Sequence, residues 1–241
     1  MEFRIEKAIV CLMLAAPLAA QDFGAKHQHA RGYCQGVLKI APEGISYRQY
    51  VPAEEAKPGK KYARRHDWTW KYEDLQQLEV SPGSLHVLTY EDRVMRMGAD
   101  REVSFTGDFA GAYLRLRDRM DQRLVARLAD EQVQPLWTLP VKQLGRVKGT
   151  QGELRVGSDR IVYKTEAKDA SRTWRYPDIE NISSSGPFQL TITTHERAGT
   201  HYGSLKGFNF QLKQALGEEQ YNNLWRRINQ TKGLRMMEDR K

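Results

Sequence analysis

The nine residues Trp70–Leu78 and the nine residues Trp174–Ile182 spell one pattern, Trp-x-Tyr-x-Asp-Leu/Ile-x-x-Leu/Ile, at a constant offset of 104. Internal repetition constrains a fold more than composition does, because each copy must adopt the same module. Upstream, Gly36-Val-Leu-Lys-Ile40 matches Gly152-Glu-Leu-Arg-Val156 at an offset of 116, and Ile45-Ser-Tyr47 matches Ile161-Val-Tyr163 at the same offset. Downstream, Leu85-His-Val87 matches Leu190-Thr-Ile192, and Val103-Ser-Phe105 matches Phe208-Asn-Phe210, both at 105. Matched blocks in one order imply two copies of one module.

Each copy reads mainly as strands. Leu154/Val156, Ile161/Tyr163, Trp174/Tyr176, Leu190/Ile192 and Phe208/Phe210 alternate at period two, which places each pair on one face of a sheet. Turn chemistry separates them at Pro42-Glu-Gly44, Ser81-Pro-Gly83, Ser185-Gly-Pro187 and Ala198-Gly199. A helix is expected to end each copy. Tyr221, Leu224, Trp225 and Ile228 form the apolar stripe of the second, with Glu218 and Glu219 at its start and Arg226 and Arg227 near its end. Phe109, Tyr113, Leu116 and Met120 form the stripe of the first, after an Asp108 N-cap.

About seven short strands closed by one amphipathic helix, with the tryptophan pattern in the middle, resembles the pleckstrin-homology-like (PH/GRAM-like) superfamily, particularly its bacterial members. The stretch from His27-x-His29 through Cys34-x-Gly36-x-Leu38 to Ile45-x-Tyr47 is similar to exported bacterial proteins built on that module. The resemblance implies a mainly β fold with α: two tandem PH-like β-sandwich or barrel domains, each capped by its C-terminal helix. Expected boundaries are a signal peptide at 1–20, domain 1 at 25–130, a linker at 131–139, domain 2 at 140–232 and a polar tail at 233–241. No continuous sheet is expected across both halves, and the linker is expected outside both cores. Trp70 and Trp174 are expected in the two cores, with Tyr72 and Tyr176 on the same strand faces. Asp74 and Asp178 are expected to end the strand by accepting backbone hydrogen bonds; neither copy offers them a second carboxylate or histidine at matched spacing, as acid–base catalysis would need.

The first twenty residues have the layout of a secretory signal: Arg4 and Lys7, then the apolar run Ala8–Ala19, then small residues before Gln21. That run is too short to span a bilayer, and no second long apolar run follows, so no transmembrane segment is expected after cleavage. Cleavage removes Cys11 and leaves Cys34 alone, so the core rather than a disulfide must supply stability. The net charge of +8 survives cleavage, since Glu2 and Glu6 leave with Arg4 and Lys7. Nucleic acid is not an expected partner, because export separates the chain from it and the basic residues are dispersed.

Candidate chemistry is sparse. His195, Glu196 and His201 have the wrong spacing for a helical zinc-protease motif and read as a hairpin. His27 and His29 share a strand face with Cys34 nearby, a donor set suited to zinc or copper. The second copy carries Gln143, Gly145 and Thr150 at these positions, so the module does not need the donors to fold. Without a fourth ligand the expectation is no metal and no cofactor. Between Tyr47 and Trp70 the first copy is longer, the offset falling from 116 to 104, and the surplus holds Lys57, Lys60, Lys61, Arg64 and Arg65. This basic insertion reads either as solvated surface or as a dock for anionic lipid headgroups or an acidic partner. The expected function is a non-enzymatic binding or scaffold protein of the bacterial envelope, taking a protein, a peptide or an anionic membrane surface. The alternative is a hydrolase or metal-dependent enzyme with its site in the cleft between the domains.

Overall fold

The computed structural model describes residues 20–29, 32–50, 66–93, 99–198 and 205–233. The fold is mainly β with few helices. The first half contributes β1 Gln21–Gln28, β2 Tyr33–Ala41, β3 Gly44–Gln49, β4 Asp67–Lys71, β5 Leu75–Val80, β6 Ser84–Asp92 and β7 Asp100–Gly107, then helix α1 Ala112–Leu116. A short strand β8 Leu124–Ala126 follows. The second half contributes β9 Trp137–Leu144, β10 Thr150–Val156, β11 Arg160–Lys164, β12 Arg172–Arg175, β13 Ile179–Ser183, β14 Gln189–Arg197 and β15 Leu205–Leu212. Helix α2, Glu218–Gln230, comes last.

The two halves hydrogen-bond in the same strand order. The first runs β5-β6-β7-β1-β2-β3-β4 and the second β13-β14-β15-β9-β10-β11-β12. Each run bends round its own core. Trp70 on β4 and Phe105 on β7 lie four strands apart, yet their ring centroids are 6.5 Å apart. Trp174 on β12 and Phe208 on β15 are equally distant in the ladder and only 4.8 Å apart. In a flat sheet, four inter-strand steps would separate such rings by roughly 19 Å. The two buried clusters share no member: Leu38, Ile45, Leu78 and Phe105 belong to one, Leu154, Ile161, Ile192 and Phe210 to the other.

The repeated motif behaves alike in both copies. Trp70 and Trp174 are each 4% exposed. Asp74 accepts from the Lys71 backbone N–H at 3.2 Å, and Asp178 from that of Arg175 at 2.9 Å. The tyrosines differ from expectation, since each opens a 3₁₀ turn after the strand. Their hydroxyls reach back to matched carbonyls, Tyr72 to Ala41 at 2.7 Å and Tyr176 to Gly157 at 2.6 Å. Gly36 and Gly152 are also matched. A Cβ at either would lie within 3 Å of the ring of Tyr47 or Tyr163, so only glycine lets the tyrosine lie across its strand.

Several expectations are corrected. Hydrogen bonding is continuous across the halves, because β8 pairs in parallel with β5 (Leu78↔Leu124 to Val80↔Ala126) and meets β12 at Thr173↔Ala126. Residues 124–126, placed in the first domain without structure of their own, are wholly buried and seal the junction. The 131–139 linker is not outside the cores: Val133 is buried and Leu139, already in β9, joins the second core. The first terminal helix is a single turn. Phe109, Tyr113, Leu116 and Met120 are buried as a stripe, but the Phe109 N–H is tied to the Pro82 carbonyl and the N-cap is Gly111. Asp108 instead accepts from the Ala110 N–H at 3.2 Å. The expected second helix is present in full, with Leu224 and Ile228 buried.

The expected signal segment, apart from Ala20, and the tail beyond Gly233 lie outside the described residues, as do Lys57, Lys60, Lys61, Arg64 and Arg65. No described helix is long and apolar enough to cross a membrane.

Candidate metal centre

His27 is the penultimate residue of β1, its Cα registered against Cys34 on β2 and Phe105 on β7. His29 follows the strand, its N–H donating to the Gly32 carbonyl at 3.0 Å. The fourth donor absent from the sequence reading is His66, immediately before β4. Its backbone is fastened to β3, accepting from the Gln49 N–H at 3.2 Å and donating to the Gln49 side chain at 3.0 Å. Strand pairing thus gathers donors that are up to 39 residues apart in the chain. One ligand atom from each of His27, His29, Cys34 and His66 lies within 4.8 Å of all the others. The cluster occupies the end of β1 away from α1, whose side packs on Phe23 and Gln21 through Phe109 and Arg115.

Cys34 Sγ is 3.6 Å from Nδ1 of His27 and 3.6 Å from Nδ1 of His66. Sulfur and nitrogen bound to one tetrahedral zinc, at about 2.3 and 2.0–2.1 Å, sit about 3.5 Å apart. Rings wall the donors. Trp68 stacks on His66 at 5.0 Å and stands edge-on to His27 at 4.7 Å. Burial, then the neighbouring His29, His66 and Arg101, push the His27 pKa down to about 4. Burial, His29 and Arg101 lower that of His66. Both imidazoles are therefore neutral at pH 7, with a nitrogen lone pair available for coordination.

Beneath the sulfur lies Tyr47, 1% exposed, with its hydroxyl 3.4 Å from Cys34 Sγ and 3.2 Å from the Cys34 carbonyl. Burial and the hydrogen bond with Cys34 push its pKa up, so the hydroxyl keeps its proton.

The second half supplies an internal comparison. The register His27↔Cys34 recurs as Gln143↔Thr150, which confirms the alignment of the copies. His29 corresponds to Gly145, where a Cβ would meet the Lys148 carbonyl at 2.3 Å, and His66 and Trp68 correspond to Ala170 and Arg172. The supporting core is shared: Tyr47 packs on Phe105 at 4.8 Å and Tyr163 on Phe210 at 5.2 Å. Tyr163 donates to the Thr150 carbonyl at 2.9 Å, the geometry of Tyr47 with Cys34. The copies thus diverge at the donors and their aromatic wall while the scaffold beneath them is retained. One signal for His66 was present in the sequence, its period-two alternation with Trp68 and Trp70.

The other sequence candidates resolve as structure. His195 faces Glu180 at 3.3 Å, and buried Glu196 pairs with Lys206 and, at 3.7 Å, with Arg172; His201 lies outside the described residues. A cleft of about 460 Å³ lies between the halves, with Arg127, Glu131, Lys164 and Asp169 in its wall. Three of its charged residues are paired: Arg127 with Glu79 at 2.7 Å, and Glu131 with Lys164 at 2.9 Å and Arg155 at 3.0 Å. The hydrogen bond from Lys164 holds the Glu131 carboxyl below its ordinary range.

No family model matches the chain, and no curated protein matches it. Among solved structures it is similar to the C-terminal domain of an unknown protein from Leishmania infantum, at 15% identity, covering 39% of this chain and 84% of that one with a TM-score of 0.31. It is also similar to the Spt16D Pob3N heterodimer, at 11% identity, covering 81% of this chain and 97% of that one with a TM-score of 0.30. Scores at this level bear on neither fold nor function.

Proposed function

We propose that this chain is an exported, non-enzymatic binding protein of the bacterial envelope, built from two PH-like modules, the first of which binds a transition-metal ion through His27, His29, Cys34 and His66. The observation that carries the metal reading is the convergence of three imidazoles and one thiol within 4.8 Å at one end of the first module. Such a set lacks the oxygen donors that calcium and magnesium require and suits zinc or copper. The two-module reading is supported by the matched strand orders, the separate cores and a helical segment after the seventh strand of each half. Export rests on the N-terminal apolar run. A four-ligand shell leaves no vacant position for substrate, and in the cleft between the halves Glu131 is engaged by Lys164 and Arg155; both favour binding over hydrolysis.

The test is metal retention by the full chain, carrying no polyhistidine tag and stripped with a chelator. On dialysis against micromolar zinc, one ion per chain is expected by elemental analysis. The Cys34→Ser/His66→Ala variant is expected to retain none while keeping the wild-type circular dichroism of the β fold. Retention unchanged in the variant, or none in the wild type, overturns the metal reading.

A further inference from the structure

We infer that the ion is zinc and that Tyr47 is the positioning residue of its site, holding the Cys34 thiolate through a hydroxyl hydrogen bond. The inference rests on the metal reading above and adds to it the identity of the ion and the residue behind the sulfur.

The two sulfur–nitrogen contacts, in themselves thiol–imidazole hydrogen bonds, lie nearer the spacing of tetrahedral than of planar coordination. Two sulfur–nitrogen distances of 3.6 Å match the roughly 3.5 Å edge of a zinc tetrahedron. Square-planar copper(II) with the same bond lengths would set adjacent sulfur and nitrogen about 3.1 Å apart, from the right angle between bonds. All four ligand atoms lie within 4.8 Å of one another.

Tyr47 is built to aim its hydroxyl. Its ring is pinned between Phe105 at 4.8 Å and Trp68 at 5.8 Å and lies across Gly36, where no side chain intervenes. Its single proton has two acceptors on one residue, the carbonyl of Cys34 at 3.2 Å and the sulfur at 3.4 Å. When zinc binds, the thiol proton leaves to solvent and the sulfur becomes the stronger acceptor. The tyrosine keeps its proton and turns it toward the thiolate, fixing the direction of the Zn–S bond. In the second half Tyr163 performs only the structural part of this task, bonding the carbonyl and the 2.8 Å-distant hydroxyl of Thr150. The first half thus places a ligand where the module already holds a residue by tyrosine.

Tyr47→Phe and Tyr163→Phe remove the same hydroxyl from equivalent positions. In the full chain, competition with a chromophoric chelator is expected to show zinc affinity falling about 10–100-fold in Tyr47→Phe, the usual effect of deleting an outer-shell partner, and staying at the wild-type value in Tyr163→Phe. With cobalt(II) as spectroscopic probe, the wild type is expected to give tetrahedral visible bands and a near-ultraviolet thiolate charge-transfer band, the latter shifted only in Tyr47→Phe. A purely structural tyrosine would lower thermal stability in both variants and leave the charge-transfer band in place. Equal affinities and an unshifted band overturn the role of Tyr47 while leaving the metal reading intact. A planar copper(II) spectrum that zinc does not displace overturns the identity of the ion. Failure of the wild type to bind any of the three metals overturns the metal reading as well.

Discussion

Trp70 and Trp174 show how much one repeated residue carries. Each is nearly fully buried, and each meets a phenylalanine from a strand four places along the ladder, at 6.5 Å for Phe105 and 4.8 Å for Phe208. Truncation would open a cavity where the sheet closes on itself. Trp70→Ala and Trp174→Ala are each expected to lower unfolding free energy by about 3–5 kcal/mol, read by chemical denaturation. A loss below 1 kcal/mol in either would show that its ring does not hold the closure. Neighbouring positions are free to differ in function. Trp68, two residues before Trp70, walls the donors, whereas Arg172 at the matching position is buried against Phe208 and Glu196.

At the scale of elements, the junction between the halves depends on the turn after β12. Arg175 stands where the first copy has Lys71, whose exposed side chain pairs with Glu73. Arg175 reaches across to the chain leaving α1, donating to the carbonyls of Arg117, of Met120 at 2.7 Å and of Asp121 at 2.6 Å. Asp178 holds it from behind at 2.7 Å. Those carbonyls belong to the C-cap of the one-turn helix and to the segment that follows it. Burial raises the Asp178 pKa despite the attraction of Arg175. Arg175→Met would strand that carboxylate, and breaking a buried pair costs about 3–5 kcal/mol. The sign follows from linkage: a carboxyl with a raised native pKa favours the folded state at low pH and disfavours it as pH rises through that pKa. The variant's deficit in denaturation is therefore expected to be largest at neutral pH and to shrink on acidification toward the ordinary carboxylate range. A deficit independent of pH would show that Asp178 is not the stranded group.

For the whole molecule, β8 joins two bent seven-strand runs into one hydrogen-bonded series without merging their cores. The basic insertion leaves the first half between Tyr50, whose N–H is bonded to the Gln35 carbonyl, and His66 of the metal cluster. If Lys60, Lys61, Arg64 and Arg65 dock an anionic surface, co-sedimentation with anionic vesicles is expected at low salt, lost at high salt and lost on replacing the four by glutamine. Equal pelleting of both proteins would return the insertion to solvated surface. Much of the architecture was legible in the sequence. Period-two alternation, turn residues and the matched blocks imply two copies, seven strands in each, the buried tryptophans and the aspartates that cap the turns, because these depend on local spacing. His27, His29 and Cys34 were legible as donors for the same reason. Tertiary structure decided the rest. His66 became the fourth donor because β3–β4 pairing carries it across the insertion, and β8 became a strand because edges of both runs were open to it. Contacts between residues distant in the chain are set by which strands pair, and hydrophobic periodicity alone does not specify that pairing.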